Sequence, residues 1–491
     1  MRNLTLLTDF YELTMMNGYL KEGIADNEAC FDVFYRGGNK LEYAMCAGLE
    51  QVVDYVNNLH FDKEDLDYLD GLNVFGKEFI ERLKNFKFTG DIYAVPEGTI
   101  IFPYEPILTI KAPLFEAQLL ETAILCVLNH QTLIATKAAR LCQNTDAKIM
   151  EFGLRRAQGP DAGIYGARAA YIGGCRSTSN VLAGQMFGIP VKGTHAHSWV
   201  MSFPDELTAF RAYAELYPEG CMLLVDTYDT LKSGVPNAIK VFDELKQKGY
   251  KPLGIRLDSG DLAYLSKEAR KMLDDAGHSD CIICVSNDID EQVLLSLKAQ
   301  DAKIDLFGIG TRLITSYDAP SLGGVYKLCA IEENGKLVPK IKLSDTQAKI
   351  TNPGLKKIFR IYDENGFAKA DLIALKKDKI DTDKPLTIFH PQYPWKKTTF
   401  EKYSVRELMV TVFKGGKQVY KLPSLEEIAK YADNEIAHFY PEYLRTVNTQ
   451  EYKVDLSDNL YNLKIKMLTK NSKNIFRQKT QNFKRPSSVT I

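Results

Sequence analysis

The feature that most constrains the fold is an alternation of apolar, β-type runs with helical patterns from about residue 148 onward. Apolar runs begin near Ile149, Met222, Leu253, Ile282 and Ile304. Nearly continuous apolar strands that alternate with helices indicate a parallel sheet covered on both faces. The sequence therefore predicts an α/β fold, either closed into a barrel or left as an open doubly wound sheet. The intervening helices are predicted at residues 205–215, 236–248, 261–275 and 290–299.

The part before this alternation has a different organisation. A first helix is predicted at residues 9–21, followed by short strands at 31–35, 91–95, 99–102 and 107–110. A long apolar helical pattern at residues 115–141 is placed to join two domains.

Charge and thiol content narrow the class of protein. The 491 residues carry a formal net charge of −1, which gives no overall field for nucleic acid or membrane. Nine scattered cysteines suit reduced thiols, and neither a signal peptide nor a long uncharged apolar segment is evident, so we expect a cytoplasmic protein. Cys281 and Cys284 have CxxC spacing, but no second ligand pair accompanies them, which favours a buried pair. The basic stretch 464–485 is interpreted as a solvated tail rather than an RNA- or partner-binding arm.

Polar side chains follow each predicted strand of the repeated part. Because the carboxyl ends of parallel strands share one edge, which is the active-site face of α/β barrels, these side chains are expected to lie together. Asp258, Ser259 and Asp288 each suit a helix cap, but capping alone does not account for six successive polar endings. The endings are residues 151–156, 194–197, 226–230, 256–261, 286–288 and 308–312.

The segment Gly193-Thr194-His195-Ala196-His197-Ser198 holds two of the seven histidines. An imidazole changes charge near neutral pH and serves as a base, a metal ligand or a phosphoryl acceptor. The segment alone does not choose among these roles.

The polar segments after the other predicted strands supply groups that bind anions. Gly308, Gly310 and Thr311 precede a predicted helix, which makes a phosphate seat or simply a tight turn. No third glycine follows at Rossmann spacing and no GxxxxGK[ST] occurs, so a dinucleotide fold and a P-loop are disfavoured. A GxSxG nucleophile elbow is also absent from the sequence.

Arginines, carboxylates and aromatic rings complete this inventory. The arginines either bind carboxylate or phosphate, or pair structurally with Glu151 or Asp258. The carboxylates offer oxygens to ribose or hydrated magnesium, some of them acting only as caps. Phe152 and Tyr11 are candidate platforms for a flat ring. The set suits a phosphorylated sugar with a planar, anionic partner; its charged members are Arg155, Arg156, Arg256, Asp226, Asp229, Asp258, Asp261 and Asp288.

Several ordered motifs closely resemble those of the nicotinate phosphoribosyltransferase family. The resemblance covers roughly residues 6–357. It implies that nicotinate and phosphoribosyl diphosphate give nicotinate mononucleotide and diphosphate, with coupled ATP hydrolysis and Mg²⁺. The matching segments are Leu6–Tyr11, Glu151–Asp161, Ser179–Gly184, Gly193–Ser198, Gly254–Asp261, Phe307–Thr311 and Pro320–Leu328.

The resemblance also implies an architecture. It predicts an irregular parallel α/β barrel beside an N-terminal sandwich-like domain, in a homodimer with a shared active site. The implied parts are an N-terminal domain at 1–137, a catalytic barrel at 138–345, and a C-terminal region with the basic tail at 346–491.

Residue roles follow from the same resemblance. His197 is implied to be the histidine that ATP phosphorylates, with Tyr11 reaching the nicotinate site across the dimer interface. His195 departs from the family pattern, so it is expected to support the site rather than react. Nicotinate-site positions are Tyr11, Phe152, Arg155, Thr194 and Arg256, and phosphoribosyl or phosphate positions are Asp258, Gly308, Gly310 and Thr311.

Other functions remain to be compared with this one. Nicotinamide phosphoribosyltransferase would share the fold and donor, but an aspartate expected there to accept the amide N–H is replaced by Asn180, which favours a carboxylate substrate. Quinolinate phosphoribosyltransferase is shorter and lacks the histidine step. A catalytically idle metabolite-binding protein is a further alternative that turnover would exclude.

Overall fold

The computed structural model describes residues 3–38, 41–346 and 349–482, and of residues 471–482 the backbone only. It is a mixed α/β protein. In chain order its strands are β1 (Glu28–Tyr35), β2 (Ala44–Met45), β3 (Asp91–Ala94), β4 (Ile100–Ile101), β5 (Leu108–Pro113), β6 (Lys148–Glu151), β7 (Met222–Leu224), β8 (Gly254–Leu257), β9 (Ile282–Asn287), β10 (Leu306–Ile309), β11 (Gly324–Glu333), β12 (Lys336–Pro339), β13 (Lys356–Tyr362), β14 (Ala368–Leu375), β15 (Leu386–Phe389), β16 (Lys397–Phe400), β17 (Ser404–Glu407), β18 (Val410–Lys414), β19 (Lys417–Gln418) and β20 (Lys453–Leu456).

The helices connect and cover these strands. Their order is α1 (Phe10–Lys21), α2 (Leu49–Asn57), α3 (Lys63–Gly71), α4 (Lys77–Lys84), α5 (Leu114–Leu119), α6 (Glu121–Cys142), α7 (Pro160–Ile172), α8 (Val181–Phe187), α9 (His197–Met201), α10 (Glu206–Leu216), α11 (Val235–Gln247), α12 (Leu262–Asp275), α13 (Glu291–Ala299), α14 (Thr311–Ile314), α15 (Leu425–Ala437), α16 (Pro441–Leu444) and α17 (Asp458–Asn482).

The repeated part of the chain forms a five-stranded parallel sheet in the order β6-β10-β9-β8-β7. Its apolar side chains join those of α10 to α13 in the largest core, where Phe242, Ile255 and Leu273 are fully buried. Each such side chain removed from water contributes about 1.5–3 kcal/mol. The predicted parallel sheet and its four intervening helices are confirmed.

The predicted barrel does not close among the described residues, where β7 remains a sheet edge. Beyond β6 the pairing continues only as isolated parallel bridges, from Glu151 to Thr178 and from Thr178 to Val191. After Val191 the backbone leaves strand conformation; the His195 imidazole contacts the Leu224 amide of β7, and the His197 imidazole contacts Asp226 just beyond that strand. The described sheet is therefore open, and the predicted irregular barrel is not confirmed, because the backbone pairs that would close it are absent between Val191 and β7 among the described residues.

A second, antiparallel sheet has the order β12-β11-β1-β5-β3-β18-β19 and packs against α2, α5 and α6. It draws strands from well-separated parts of the chain, and α6 runs across residue 137. The strands predicted in the N-terminal part correspond to β1, β3, β4 and β5. The division into three domains stays a prediction.

The C-terminal region adds a sheet in the order β17-β13-β14-β20. Its fully buried Arg360 bonds to Asp371 and Glu435 and donates to the Ile100 carbonyl at 2.7 Å. This network ties the late part of the chain to the early part, because an arginine left unpaired at that depth would be very costly. Of the predicted basic tail, residues up to 482 belong to α17, and residues 483–491 lie outside the described residues.

Two predictions about chemical class can be checked against the fold. All nine cysteines are free thiols, and Cys281 and Cys284 are both buried, as expected of a structural pair. No helix in the described ranges has the length and apolar character needed to cross a membrane.

Candidate active site

A cleft of about 540 Å³ lies where the strands of the parallel sheet end. Its lining comes from the segments that follow β6, β8, β9 and β10 and from the turn before α9. The predicted convergence of the polar strand endings is therefore confirmed for five of the six; the ending at 226–230 does not line the cleft, although Asp226 contacts His197. Nine of the ten candidate site residues line it: Phe152, Arg155, Thr194, His197, Arg256, Asp258, Gly308, Gly310 and Thr311.

Helix capping explains which aspartates are free to face the cleft. The caps of α12 and α13 are Asp261 and Asp290, whose side chains accept backbone N–H bonds in the first turns. Asp258 and Asp288, which the sequence also allowed as caps, lie three and two residues before these positions and do not cap α12 or α13. Both instead line the cleft, where Asp258 also accepts a hydrogen bond from the Ser286 hydroxyl.

His197 begins α9 and is held by an aspartate. Its Nε2 lies 3.1 Å from Oδ1 of Asp226, whose side chain is 2% exposed. The other oxygen of Asp226 accepts from the amide of Asp258 at 2.8 Å and from the Ser259 hydroxyl at 2.7 Å. Asp226 therefore fixes the ring of His197 while keeping its own carboxylate stabilised.

Asp226 is the functional residue that the sequence did not single out. It was only one of five aspartates at strand ends, and its pairing with a histidine 29 positions away is a tertiary contact. Its position directly after the apolar run 222–225 was the available signal.

Arg256, in β8, presents a cation to the cleft. Its Nη1 donates to the Thr194 hydroxyl, and its buried Nε has no hydrogen-bond partner among the described residues. A buried guanidinium N–H without an acceptor is costly, so the site favours an anionic ligand beside it. The structural alternative, pairing of this arginine with Asp258, is not what the contacts show.

Phe152 explains much of the glycine pattern that follows β10. A Cβ on Gly308 would lie 2.6 Å from the Phe152 ring, and one on Gly310 would lie 3.1 Å from the Phe152 carbonyl oxygen. The two glycines therefore allow the aromatic ring and its backbone to approach β10. Gly310 precedes α14, so the amides of its first turn and the Thr311 hydroxyl remain at the cleft wall.

Arg155 and Arg156 lie in an exposed 3₁₀ turn at the cleft mouth. The proposed structural partner Glu151 is used elsewhere, since it accepts from the Thr178 hydroxyl and the Gly153 amide. Burial raises the pKa of Glu151, and these two hydrogen bonds oppose that rise. The two arginines therefore add positive charge at the mouth without neutralisation by Glu151.

Tyr11 is the one candidate that does not line the cleft. It lies on α1 with 45% of its surface exposed. Burial, with Glu121 and Glu12 nearby, raises the pKa of its phenol, which keeps the hydroxyl protonated at neutral pH.

Asn180 also lies away from the cleft and is 1% exposed. Its side chain caps α8 by accepting from the Ala183 amide, and it donates to the Gly163 carbonyl, each at 3.1 Å. The structure therefore gives no contact through which Asn180 would favour a carboxylate substrate, and that preference stays a prediction. In this cleft the group placed to meet a carboxylate is Arg256, whose guanidinium lines the wall.

Metal-binding groups are sparse in the described residues, which contain no group of three or more His, Cys, Asp and Glu side chains arranged to hold an ion. Mg²⁺ commonly binds through one or two carboxylates and the substrate's phosphates. Asp258 and Asp288, both at the cleft wall, fit that mode rather than a cage made by protein alone.

The fold and the site thus define an α/β protein with an anion-binding cleft at the carboxyl edge of a parallel sheet. Family models match the N-terminal domain of nicotinate phosphoribosyltransferase at residues 6–129, the nicotinate phosphoribosyltransferase family at 147–372, and its C-terminal domain at 355–464. The chain belongs to the nicotinate phosphoribosyltransferase family.

Individual relatives agree with this assignment. The nicotinate phosphoribosyltransferase of Bacillus subtilis is 46% identical over 469 residues, which cover 95% of each chain. The crystal structure of human nicotinic acid phosphoribosyltransferase aligns with a TM-score of 0.83 and 32% identity, over 94% of this chain and 99% of that one. A nicotinate-nucleotide pyrophosphorylase from Pyrococcus furiosus, at 23% identity and a TM-score of 0.68 over 89% and 96%, shares the fold.

Proposed function

We propose that this chain is an ATP-coupled nicotinate phosphoribosyltransferase of NAD salvage. The single observation that carries the proposal is that Arg256, His197 and the Gly310–Thr311 turn line one cleft. These groups suit a ring carboxylate, a phosphoryl transfer and a sugar phosphate, respectively.

Nicotinate would be held by its two distinct ends. Arg256, steadied by Thr194, meets the carboxylate, and the half-buried ring of Phe152 offers a face to the pyridine. The pyridine nitrogen then attacks C1 of the phosphoribosyl donor, so that a C–N bond forms while the C1–O bond to diphosphate breaks. The nitrogen is a neutral nucleophile, so positioning rather than a general base is the main requirement.

The donor would lie across the glycine-lined end of the cleft. Amides of the Gly310–Thr311 turn and the Thr311 hydroxyl donate to the 5-phosphate, and Asp258 accepts from ribose or holds Mg²⁺ together with Asp288. Bound Mg²⁺ would stabilise negative charge on the leaving diphosphate. Arg155 at the mouth adds positive charge for the same anions.

ATP coupling would act through His197. Since Nε2 faces Asp226, Nδ1 is the nitrogen left to attack the γ-phosphorus, with an N–P bond formed and ADP released. Asp226 accepts the Nε2–H and stabilises the positive ring during transfer, as the aspartate does in other histidine–aspartate pairs. The phosphohistidine adds charge and acceptor oxygens that order the donor site until it is hydrolysed.

A homodimer would complete the site with Tyr11. One apolar patch on and beside α1 comprises Leu7, Phe10, Tyr11 and Met15, all more than a third exposed. A second set of exposed apolar side chains comprises Leu154, which lines the cleft, and Val181, Leu182 and Met186 of α8. Seating the first patch of one copy on the second set of another would bury both and bring Tyr11 to the nicotinate site.

A mixing experiment tests the shared site. Tyr11→Ala and Arg256→Ala are each expected to be nearly inactive, but dissociated and reassociated mixtures would contain heterodimers with one intact site. Recovery of about a quarter of wild-type activity is expected on random pairing. Failure of the mixture to exceed either variant, with dimers verified by light scattering, would contradict the shared site.

The cellular location proposed with this function is the cytoplasm. Nine free thiols, seven of them buried, are consistent with a reducing compartment.

The reaction itself is tested by mass detection of nicotinate mononucleotide formed from nicotinate and phosphoribosyl diphosphate, with and without ATP. We expect product in both cases and more with ATP. Nicotinamide in place of nicotinate tests the alternative substrate, and it should compete poorly because it lacks the charge that Arg256 requires. Efficient turnover of nicotinamide, or none of either substrate, would overturn the proposal.

A further inference from the structure

His195 lies in the wall of the cleft, but neither the transfer step nor the phosphorylation step uses it. It is 7% exposed. Its Nε2 accepts a hydrogen bond from the Leu224 amide at 3.2 Å, and its Nδ1 lies 3.4 Å from the Ala196 carbonyl oxygen. The first contact requires a lone pair on Nε2, so the proton of the neutral ring is on Nδ1.

The Leu224 amide needs an acceptor because of its place in the sheet. It belongs to the last residue of β7, the edge strand of the parallel sheet. The next amide, that of Val225, donates toward β8 by bonding to the Arg256 carbonyl. Successive amides of a strand point to opposite sides, so the Leu224 amide points to the open edge, where a buried donor without a partner is costly.

The contacts of the two histidines share one register. His195 bonds to Leu224 and His197 bonds to Asp226, and the sequence separation is 29 residues in both cases. Ala196 between them has extended backbone angles, so the residues on either side of it point to the same side of the chain. The two imidazoles therefore make successive contacts along the same stretch of chain: His195 to the last residue of β7, and His197 to Asp226, two residues beyond it.

The surroundings of His195 keep its ring neutral and fixed in place. The ring of Tyr213 packs edge-on against the His195 ring with centroids 4.7 Å apart, and Phe210 lies beyond it. Burial is the main cause that lowers the pKa of His195 to about 4; Arg256 and His197 nearby act in the same direction, and the Ala196 carbonyl opposes them. A neutral ring whose acceptor nitrogen is occupied is suited to holding the chain in place.

We propose that His195 is a positioning residue that fixes the 193–197 segment against β7 and thereby sets the reach of His197 to Asp226. The consequence for phosphoryl transfer rests on the proposed role of His197. The geometric part of the proposal, that His195 sets the position of His197, does not rest on that role.

Two matched variants separate this role from general packing. His195→Leu retains apolar bulk but offers no acceptor to Leu224, whereas His195→Gln places an amide oxygen at about the reach of Nε2. In the full-length protein, phosphorylation of His197 by ATP, quenched and quantified as acid-labile phosphate, should slow by about 10- to 100-fold in the leucine variant, as expected for a misplaced reacting group. The glutamine variant should remain within about threefold of wild type, since it restores the acceptor.

Crystal structures of the two variants give a readout that does not depend on ATP chemistry. The distance from His197 Nε2 to Asp226 Oδ1 should exceed about 4 Å in the leucine variant and remain at hydrogen-bond length in the glutamine variant. An unchanged distance in the leucine variant, or equal phosphorylation rates in the two variants, would overturn the inference.

The outcomes also distinguish this inference from the proposed function. If wild type forms no phosphohistidine, the ATP step of the proposed function fails, and the distances still decide the positioning role. If His195→Leu does not fold, His195→Asn replaces it, because its shorter amide does not reach Leu224. A loss of thermal stability with normal rates and normal geometry would show a purely structural role and overturn the inference.

Discussion

The histidines at 195 and 197 are chemically identical and two residues apart, but the fold gives them opposite environments. The side chain of His197 is 38% exposed and faces a buried carboxylate. His195 is 7% exposed and faces a backbone amide and an aromatic ring. The comparison teaches that reactivity is set by the partner of each ring nitrogen and by access to solvent, not by residue type or clustering.

The largest expected effect comes from removing the exposed histidine. His197→Ala should abolish ATP stimulation and phosphoenzyme formation while retaining some transfer activity, because the residues proposed to hold nicotinate and the donor lie elsewhere in the cleft. The check is steady-state product formation with and without ATP. If ATP still lowered the KM for either substrate in this variant, His197 would not be the coupling residue.

The next largest effect is expected from changing Asp226, the carboxylate that contacts His197 but not His195. Asp226→Asn should slow phosphorylation of His197 by about 100-fold, because an amide can donate to Nε2 and leave the ring in the wrong tautomer. The measurement is single-turnover phosphoenzyme formation from ATP. The control is Asp229→Asn, since Asp229 caps the short helix Thr230–Gly234 by accepting from the Lys232 amide; it should change the rate by less than about twofold. Equal effects of both substitutions would indicate a general loss of charge.

The buried ring should be visible in the pH dependence of stability. The pKa of His195 falls from 6.5 to about 4 on folding, so the unfolded chain binds the proton more readily, and stability is lost as pH falls from about 6.5 toward 4. This amounts to about 2 kcal/mol by pH 5. Denaturant titrations at pH 7 and pH 5 should show that extra loss in wild type relative to His195→Gln. Parallel losses in both proteins would contradict a neutral, buried His195.

The smallest effect is expected at Thr194, which precedes the two histidines and accepts a hydrogen bond from Arg256. Thr194→Val removes the hydroxyl that accepts from Arg256 and should raise the nicotinate KM about fivefold, which is about 1 kcal/mol. Thr194→Ser keeps the hydroxyl and is the matched control. A KM unchanged in the valine variant would show that Arg256 is held by other contacts.

Much of this arrangement was predictable from local patterns. Apolar runs near Met222 and Ile282 locate strands because a buried parallel strand must be apolar on both faces, and the polar residues after them meet at one edge. This placed nine of ten candidate residues in the cleft. The resemblance, rather than periodicity, supplied the roles given to those residues.

The remainder depended on tertiary structure. Choosing Asp261 over Asp258 as the helix cap requires the position of the first helical turn, to within a residue or two. The pairing of His197 with Asp226 and the engagement of Asn180 in a cap depend on contacts made by the folded chain. The open edge at β7 was not predictable because imidazoles, which carry no strand signal, occupy the gap.

The most direct test of the account is site-specific mapping of phosphate after the enzyme has been incubated with ATP and kept at neutral pH. Mass spectrometry of the peptide that contains both histidines should place the phosphoryl group on His197 and none on His195. Phosphate on His195, or ATP-stimulated transfer with no phosphate on either ring, would contradict the distinction between the two histidines on which the account depends.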